Sequence, residues 1–155
     1  MQLRTPVGQN AFFPPVVFPT PTTGAQLSFR SMVLHALLVE DNKVIRDNLI
    51  PTLEALSEAR VDGVAETEAD AIAWLDCHDD WDLAVVDLFL REGSGLGVLA
   101  SCANRRAGQC VILFSNYATD EMRRRALELG ADAIFDKSTE IDGLLDFLER
   151  LSPRR

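Results

Sequence analysis

The sequence predicts a doubly wound α/β sandwich built on a five-stranded parallel sheet. Three observations carry that prediction. Strand-like and helix-like segments alternate five times after Met32. The clearest strand-like runs, Ala36-Leu37-Leu38-Val39, Leu83-Ala84-Val85-Val86 and Val111-Ile112-Leu113-Phe114, are almost continuously apolar, as strands covered on both faces must be. Each run is followed by a side chain with chemistry: Glu40 and Asp41 after the first, Asp87 after the next, Ser115 after the third. A fourth run, Ala133-Ile134-Phe135, leads to Lys137.

The elements follow in order. A strand at about 34–39 leads to a helix at about 43–58, apolar at Val44, Leu49, Leu53 and Leu56. Pro51 lies inside that helix, where a proline costs about 3 kcal/mol and predicts a kink. A weak strand at 60–65 comes next. Thr67 then caps a helix that buries Ala71, Ile72, Trp74 and Leu75, with Asp70 placed to complete a capping box. The strand at 83–87 is followed by a flexible turn, Arg91-Glu92-Gly93-Ser94-Gly95, and a helix carrying Leu96, Leu99 and Cys102. After the strand at 111–115, Thr119 caps a helix with Asp120 and Glu121 in its first turn, and Gly130 stops it. A last strand at 132–136 and a helix at 140–151, apolar at Ile141, Leu144, Leu145 and Leu148, complete five βα units.

In such sheets the site lies outside the carboxyl ends of the strands, where the winding direction reverses. Three carboxylates (Glu40, Asp41, Asp87), the Ser115 hydroxyl and the Lys137 ammonium therefore meet at one edge. Clustered carboxylates repel, so a cation belongs among them. Mg²⁺ is the natural one, since it prefers carboxylate and water oxygens and keeps waters that a phosphate can replace. Asp87 is the candidate nucleophile, able to take a phosphoryl group as an acyl phosphate. Lys137 would neutralise charge on the transferred group, and Ser115 would donate a hydrogen bond to it.

Composition narrows the alternatives. The 155 residues, 47% hydrophobic and 25% charged, describe an ordinary globular chain with one core. A net charge of −9 argues against nonspecific nucleic-acid binding. The one dense basic run, Arg123-Arg124-Arg125, sits beside Asp120, Glu121 and Glu128 and reads as a solvated helix face. Three cysteines without metal-type spacing fit a reduced, cytoplasmic protein, and no segment is long and apolar enough for a membrane helix. Residues 1–31 hold five of the seven prolines, no acidic residue, and only Arg4 and Arg30 as charges. They read as a Pro-rich, disordered extension, leaving 32–155 as the folded unit, with 13 basic against 24 acidic residues. Met32 is a candidate start.

With these residues in place, 33–151 resembles the response-regulator receiver domain of two-component signalling. The resemblance rests on Leu37-Leu38-Val39-Glu40-Asp41-Asn42, Val85-Val86-Asp87-Leu88, Leu113-Phe114-Ser115 and Phe135-Asp136-Lys137. It implies a flavodoxin-like fold, Mg²⁺ dependence, and a phosphoryl group received from a histidine kinase or histidine phosphotransfer protein. Carried over residue by residue, Asp87 is the phosphoacceptor, Glu40 and Asp41 the acidic pair holding the metal, and the backbone carbonyl of Phe89 a further metal ligand. Ser115 matches the switch hydroxyl and Lys137 the family's lysine. The expected output is a protein partner docked on the surface of the fourth helix, fifth strand and fifth helix, with no direct role for nucleic acid or membrane. Too few residues follow the last helix for an output domain, so the chain reads as a stand-alone regulator rather than a dedicated enzyme.

Three positions depart from the family pattern. The family's aromatic residue three before the lysine is Ile134 here, and Phe135 should face the other side of its strand. Ser138 stands where the family has a proline after the lysine, so a trans bond is expected there. Asn116 follows Ser115, where a small residue is usual, and with Phe89 is expected to crowd the phosphoryl group. These departures motivate an alternative, a receiver-like adaptor module that works without phosphorylation. A haloacid-dehalogenase-type phosphatase is weaker. It needs its nucleophile and general acid two residues apart after the first strand, where this chain has Glu40-Asp41-Asn42-Lys43.

Overall fold

The computed structural model describes residues 33–151, so the expectations for the 1–31 extension and for Met32 as a start lie outside the described residues. Ten elements alternate: β1 (Leu34–Val39), α1 (Lys43–Leu56), β2 (Ala59–Ala65), α2 (Glu68–Cys77), β3 (Leu83–Val86), α3 (Gly95–Ser101), β4 (Cys110–Ser115), α4 (Asp120–Glu128), β5 (Ala133–Asp136) and α5 (Ile141–Leu151). The strands form one parallel sheet in the order β2-β1-β3-β4-β5. The winding therefore reverses between β1 and β3.

Side-chain alternation along each strand sorts the core into two layers. Leu37 and Val39, Ala84 and Val86, Val111 and Leu113, and Ile134 face α2, α3 and α4, where Ala71, Val98, Leu99 and Ala126 meet them. Ala36 and Leu38, Leu83 and Val85, and Ile112 and Phe114 face the opposite way, onto Leu49 and Leu53 of α1 and Leu144 and Leu148 of α5. The inner strands β1, β3 and β4 are covered on both faces, which is why they carry almost no polar alternation, whereas the edge strand β2 exposes Arg60 and Asp62. Phe135 belongs to the α1/α5 layer, edge-on to Phe147, while Ile134 belongs to the other. The predicted opposition of these two neighbours is what the sheet shows.

Local signals account for the helix starts. Asn42 Oδ1 accepts from the N–H groups of Val44 and Ile45, Thr67 Oγ1 from Asp70, Ser94 Oγ from Leu96, and Thr119 Oγ1 from Met122. Each such cap stabilises its helix by about 1 kcal/mol. Gly130 turns the chain after α4 at φ 102°, with Ala131 N–H donating to Ala126 O. α1 runs through Pro51 to Leu56 as one helix, two residues shorter than predicted.

Several expectations need correction. β3 stops at Val86, so Asp87 begins the loop rather than ending the strand. Of the predicted buried residues of α2, Ala71 is fully enclosed, while Ile72, Trp74 and Leu75 are half-buried. Cys102 is the cap after α3 rather than part of it. The segment 91–95 is not a free turn. Glu68 takes its Ser94 N–H at 2.9 Å and donates its own N–H to Glu92 O. A side chain at Gly93 or Gly97 would collide with Glu68. Arg123 is not simply solvated either: its guanidinium is tied into the β5–α5 region, whereas Arg124 and Arg125 are exposed.

Candidate functional site

The site forms because parallel register brings strand ends level. Val39 lies beside Val86, and Asp87 N–H donates to Val39 O at 2.9 Å, so Glu40 and Asp87 leave adjacent strands side by side. Ser115 lies beside Asp136, and Lys137 N–H donates to Ser115 O at 3.1 Å, which brings the lysine back over the same edge.

Lys137 Nζ reaches both acids. It bonds Glu40 Oε1 and lies 3.0 Å from Asp87 Oδ2, with only 10% of its side chain exposed. The other oxygen of Glu40 accepts from Asn42 N–H, and Asp87 Oδ1 accepts from Leu88 N–H at 2.8 Å. Glu40, Asp41 and Asp87 each offer a carboxylate oxygen, and the three lie within 4.8 Å of one another. Burial pushes the Glu40 carboxyl above its ordinary range and the Asp87 charge adds to this, against the opposing pull of Lys137. The Lys137 ammonium pairs with two of the three clustered carboxylates, so the cluster carries more acidic than basic groups. An all-oxygen, carboxylate-rich donor set of this kind fits a hard divalent cation.

The backbone around Asp87 is closely folded. Phe89 and Ser94 form an antiparallel bridge, and Gly95 N–H donates to Leu88 O at 2.7 Å. A Cβ on Gly95 would sit 2.2 Å from the Asp87 carbonyl oxygen, so only glycine allows this approach. Ser115 is fully buried, and its Oγ accepts from Tyr117 N–H at 3.1 Å. The Phe89 ring meets Tyr117 edge-on, with centroids 4.5 Å apart, and both residues are 55% exposed at the rim. The described partner of the Phe89 ring is therefore Tyr117; Asn116 is exposed beside Phe114, Lys137 and Ile141. The 137–138 bond is trans, as expected without the proline.

Sequence reasoning missed three supports. Arg46 donates from Nη1 to Glu40 O at 2.9 Å and pairs with Glu66, which also holds Arg91. Gly95 was read as a turn residue, without its contact on Asp87. Arg123 binds Ala118 O, Ile134 O and Glu140 together. Its place in a basic run hid this, and most of its partners are backbone carbonyls that no residue type announces.

The comparisons with known proteins agree with this fold. A model of the response regulator receiver domain matches residues 36–149. The chain belongs to that family. It is 29% identical over 99 residues to the DNA-binding transcriptional activator DevR/DosR of Mycobacterium tuberculosis, which covers 64% of this chain and 45% of that protein. The chain thus spans less than half the length of that relative. With the chemotaxis protein CheY of Halobacterium salinarum the identity is 26% over 121 residues, 76% of this chain and 98% of CheY. Among solved structures, the non-phosphorylated HemR receiver domain of Leptospira biflexa superimposes with a TM-score of 0.66 at 28% identity, over 79% of this chain and 96% of that one. The flavodoxin-like fold predicted for this receiver domain is the one observed. Among the described residues, no helix is long and apolar enough to cross a membrane.

Proposed function

We propose that this receiver domain accepts a phosphoryl group on Asp87 from a histidine kinase or histidine phosphotransfer protein and passes the signal on by protein contact. The observation that carries the reading is the convergence of Glu40, Asp41, Asp87 and Lys137 at the switch point of the sheet. An Asp87 carboxylate oxygen would attack phosphorus while the bond from phosphorus to the donor's imidazole nitrogen breaks, its electron pair staying on that nitrogen. Lys137 holds Asp87 in place and balances charge as it passes onto the phosphoryl oxygens. The buried Ser115 hydroxyl would donate to one of those oxygens. Glu40, Asp41, Asp87 and the Phe89 carbonyl would hold Mg²⁺, which when bound offsets negative charge on the phosphoryl group. Residues 32–155 form the receiver unit, with a partner docking on α4, β5 and α5. The receiver works in the cytoplasm as a signalling module rather than as a dedicated enzyme.

The test is intact-mass spectrometry after incubation with phosphoramidate or acetyl phosphate, with and without Mg²⁺, beside Asp87→Asn. A gain of one phosphoryl group that needs both Mg²⁺ and Asp87 is the expected result. No gain under any condition, including with a histidine-phosphorylated donor protein, moves the reading to the phosphorylation-independent adaptor. That second reading is motivated by Ile134, whose side chain is packed in the core and cannot act as a mobile aromatic switch.

A further inference from the structure

We propose that Arg123 is the positioning residue that couples the Ser115 loop to the amino end of α5. The proposal deepens the phosphoacceptor reading and rests on it for its trigger, since phosphorylation is what would draw Ser115 toward Asp87.

The argument follows one continuous chain of bonds. Ser115 Oγ accepts the N–H of Tyr117, so the hydroxyl that would turn to a phosphoryl oxygen is also the anchor of the 116–118 loop. The carbonyl of Ala118, at the end of that loop, accepts from Arg123 Nε at 3.0 Å. The same guanidinium donates from Nη1 to Ile134 O on β5 at 3.2 Å and from Nη2 to Glu140 Oε1 at 2.8 Å. Glu140 Oε1 also accepts Asp136 N–H at 2.7 Å, and Glu140 N–H returns to Asp136 O. Leu144 N–H then donates to Glu140 O, which ties the junction into the first turn of α5.

A planar guanidinium with donors fixed in direction can serve three acceptors on three segments only in one relative placement. If the loop carrying Ala118 moves with Ser115, Arg123 must give up one acceptor or carry Glu140 with it. The side chain of Ile134 packs in the α2–α4 layer while its carbonyl joins the Arg123 network. Glu140 reflects the same contact, its carboxyl held below the ordinary range first by the Arg123 hydrogen bond.

The experiment is a double-mutant cycle on the full chain read by hydrogen exchange: wild type, Ser115→Ala, Arg123→Lys and the double variant. Lysine keeps the charge and the fold but cannot span three acceptors. Ser115→Ala should speed amide exchange across 140–144 by about tenfold in the wild-type background and by less than about twofold beside Arg123→Lys. Equal acceleration in both backgrounds would overturn the proposal. The chain has one tyrosine, so 3-fluorotyrosine reports on Tyr117 alone. Its ¹⁹F resonance should shift with Ser115→Ala in both backgrounds, and no shift in the wild type would also overturn it. Phosphoryl uptake by Arg123→Lys should match wild type; uptake lost in that variant alone would place Arg123 in the chemistry and refute a positioning role. Uptake absent from the wild type itself would sink the phosphoacceptor reading and leave the exchange cycle as a valid test of the coupling.

Discussion

The two ends of the sheet handle buried polar groups in opposite ways. At the amino end the polar side chains of Gln109 and Arg105 are matched to several partners each. Gln109 donates to Asp79 O and Trp81 O and accepts from Arg106 N–H. Arg105 bonds Cys102 O, Gln109 O, Gly130 O and Asp132, whose carboxylate also takes Val111 N–H. At the carboxyl end, by contrast, three carboxylates crowd together, two of them sharing the buried Lys137 ammonium, and Glu40 is 2% exposed with its proton affinity raised. The first arrangement buys stability. The second holds like charges together at the expense of stability, which is the signature of a site kept for binding and chemistry.

The largest effect expected from breaking this contrast comes from Asp87→Asn. Phosphoryl uptake should vanish in the mass assay, while the melting temperature in chelator stays level or rises, because one of the repelling charges is gone. A melting point lower by more than about 5 °C would mean that Asp87 is structural and the contrast misdrawn. Next comes Lys137→Met, which removes the one ammonium both acids share. Uptake from phosphoramidate should slow by roughly a hundredfold, and uptake within about twofold of wild type would remove Lys137 from the chemistry.

Arg105→Met probes the opposite end. It strands several buried or half-buried acceptors, so unfolding in urea should show a loss of about 2–4 kcal/mol. Phosphoryl uptake by the folded protein should stay at the wild-type rate. Equal damage to uptake would show that the two ends are not independent.

Much of this organisation was legible because it depends on local patterns. Continuous apolar runs reported a sheet covered on both sides, and the rule for strand ends placed Glu40, Asp87, Ser115 and Lys137 at one edge before any distance was known. Thr67 and Thr119 announced their helices by residue type. The illegible part has a common physical cause. Arg46, Arg105 and Arg123 bind main-chain carbonyls, those of Glu40, Cys102 and Ile134 among them, and every residue carries a carbonyl, so nothing in the chain marks those acceptors. The same holds for Gly95, whose constraint is the Asp87 backbone rather than a side chain. Arg123 was misread for a second reason: it stands beside two arginines that are exposed, and composition cannot separate three neighbours on a helix that face different ways.

The smallest effect is the one that measures the site's electrostatics directly. Glu40 has a folded-state pKa above 4.5, chiefly through burial, so the native state holds its proton more tightly than the unfolded chain does. In the window from 4.5 up to the folded value the native protein binds more protons, and stability falls as pH rises. Below that window the carboxyl is neutral in both states and the loss is absent; above it the loss is complete and constant. In chelator, urea unfolding followed across this window should therefore show wild type losing stability relative to Glu40→Gln, which has no proton to release there. Mg²⁺ at high pH should restore part of that loss, since a ligand bound only by the folded state stabilises it, and should do so less well in the variant. A wild-type curve that rises through the window relative to Glu40→Gln would reverse the sign. It would mean that Lys137 outweighs burial, and that the carboxyl end, like the amino end, is a charge pair already satisfied.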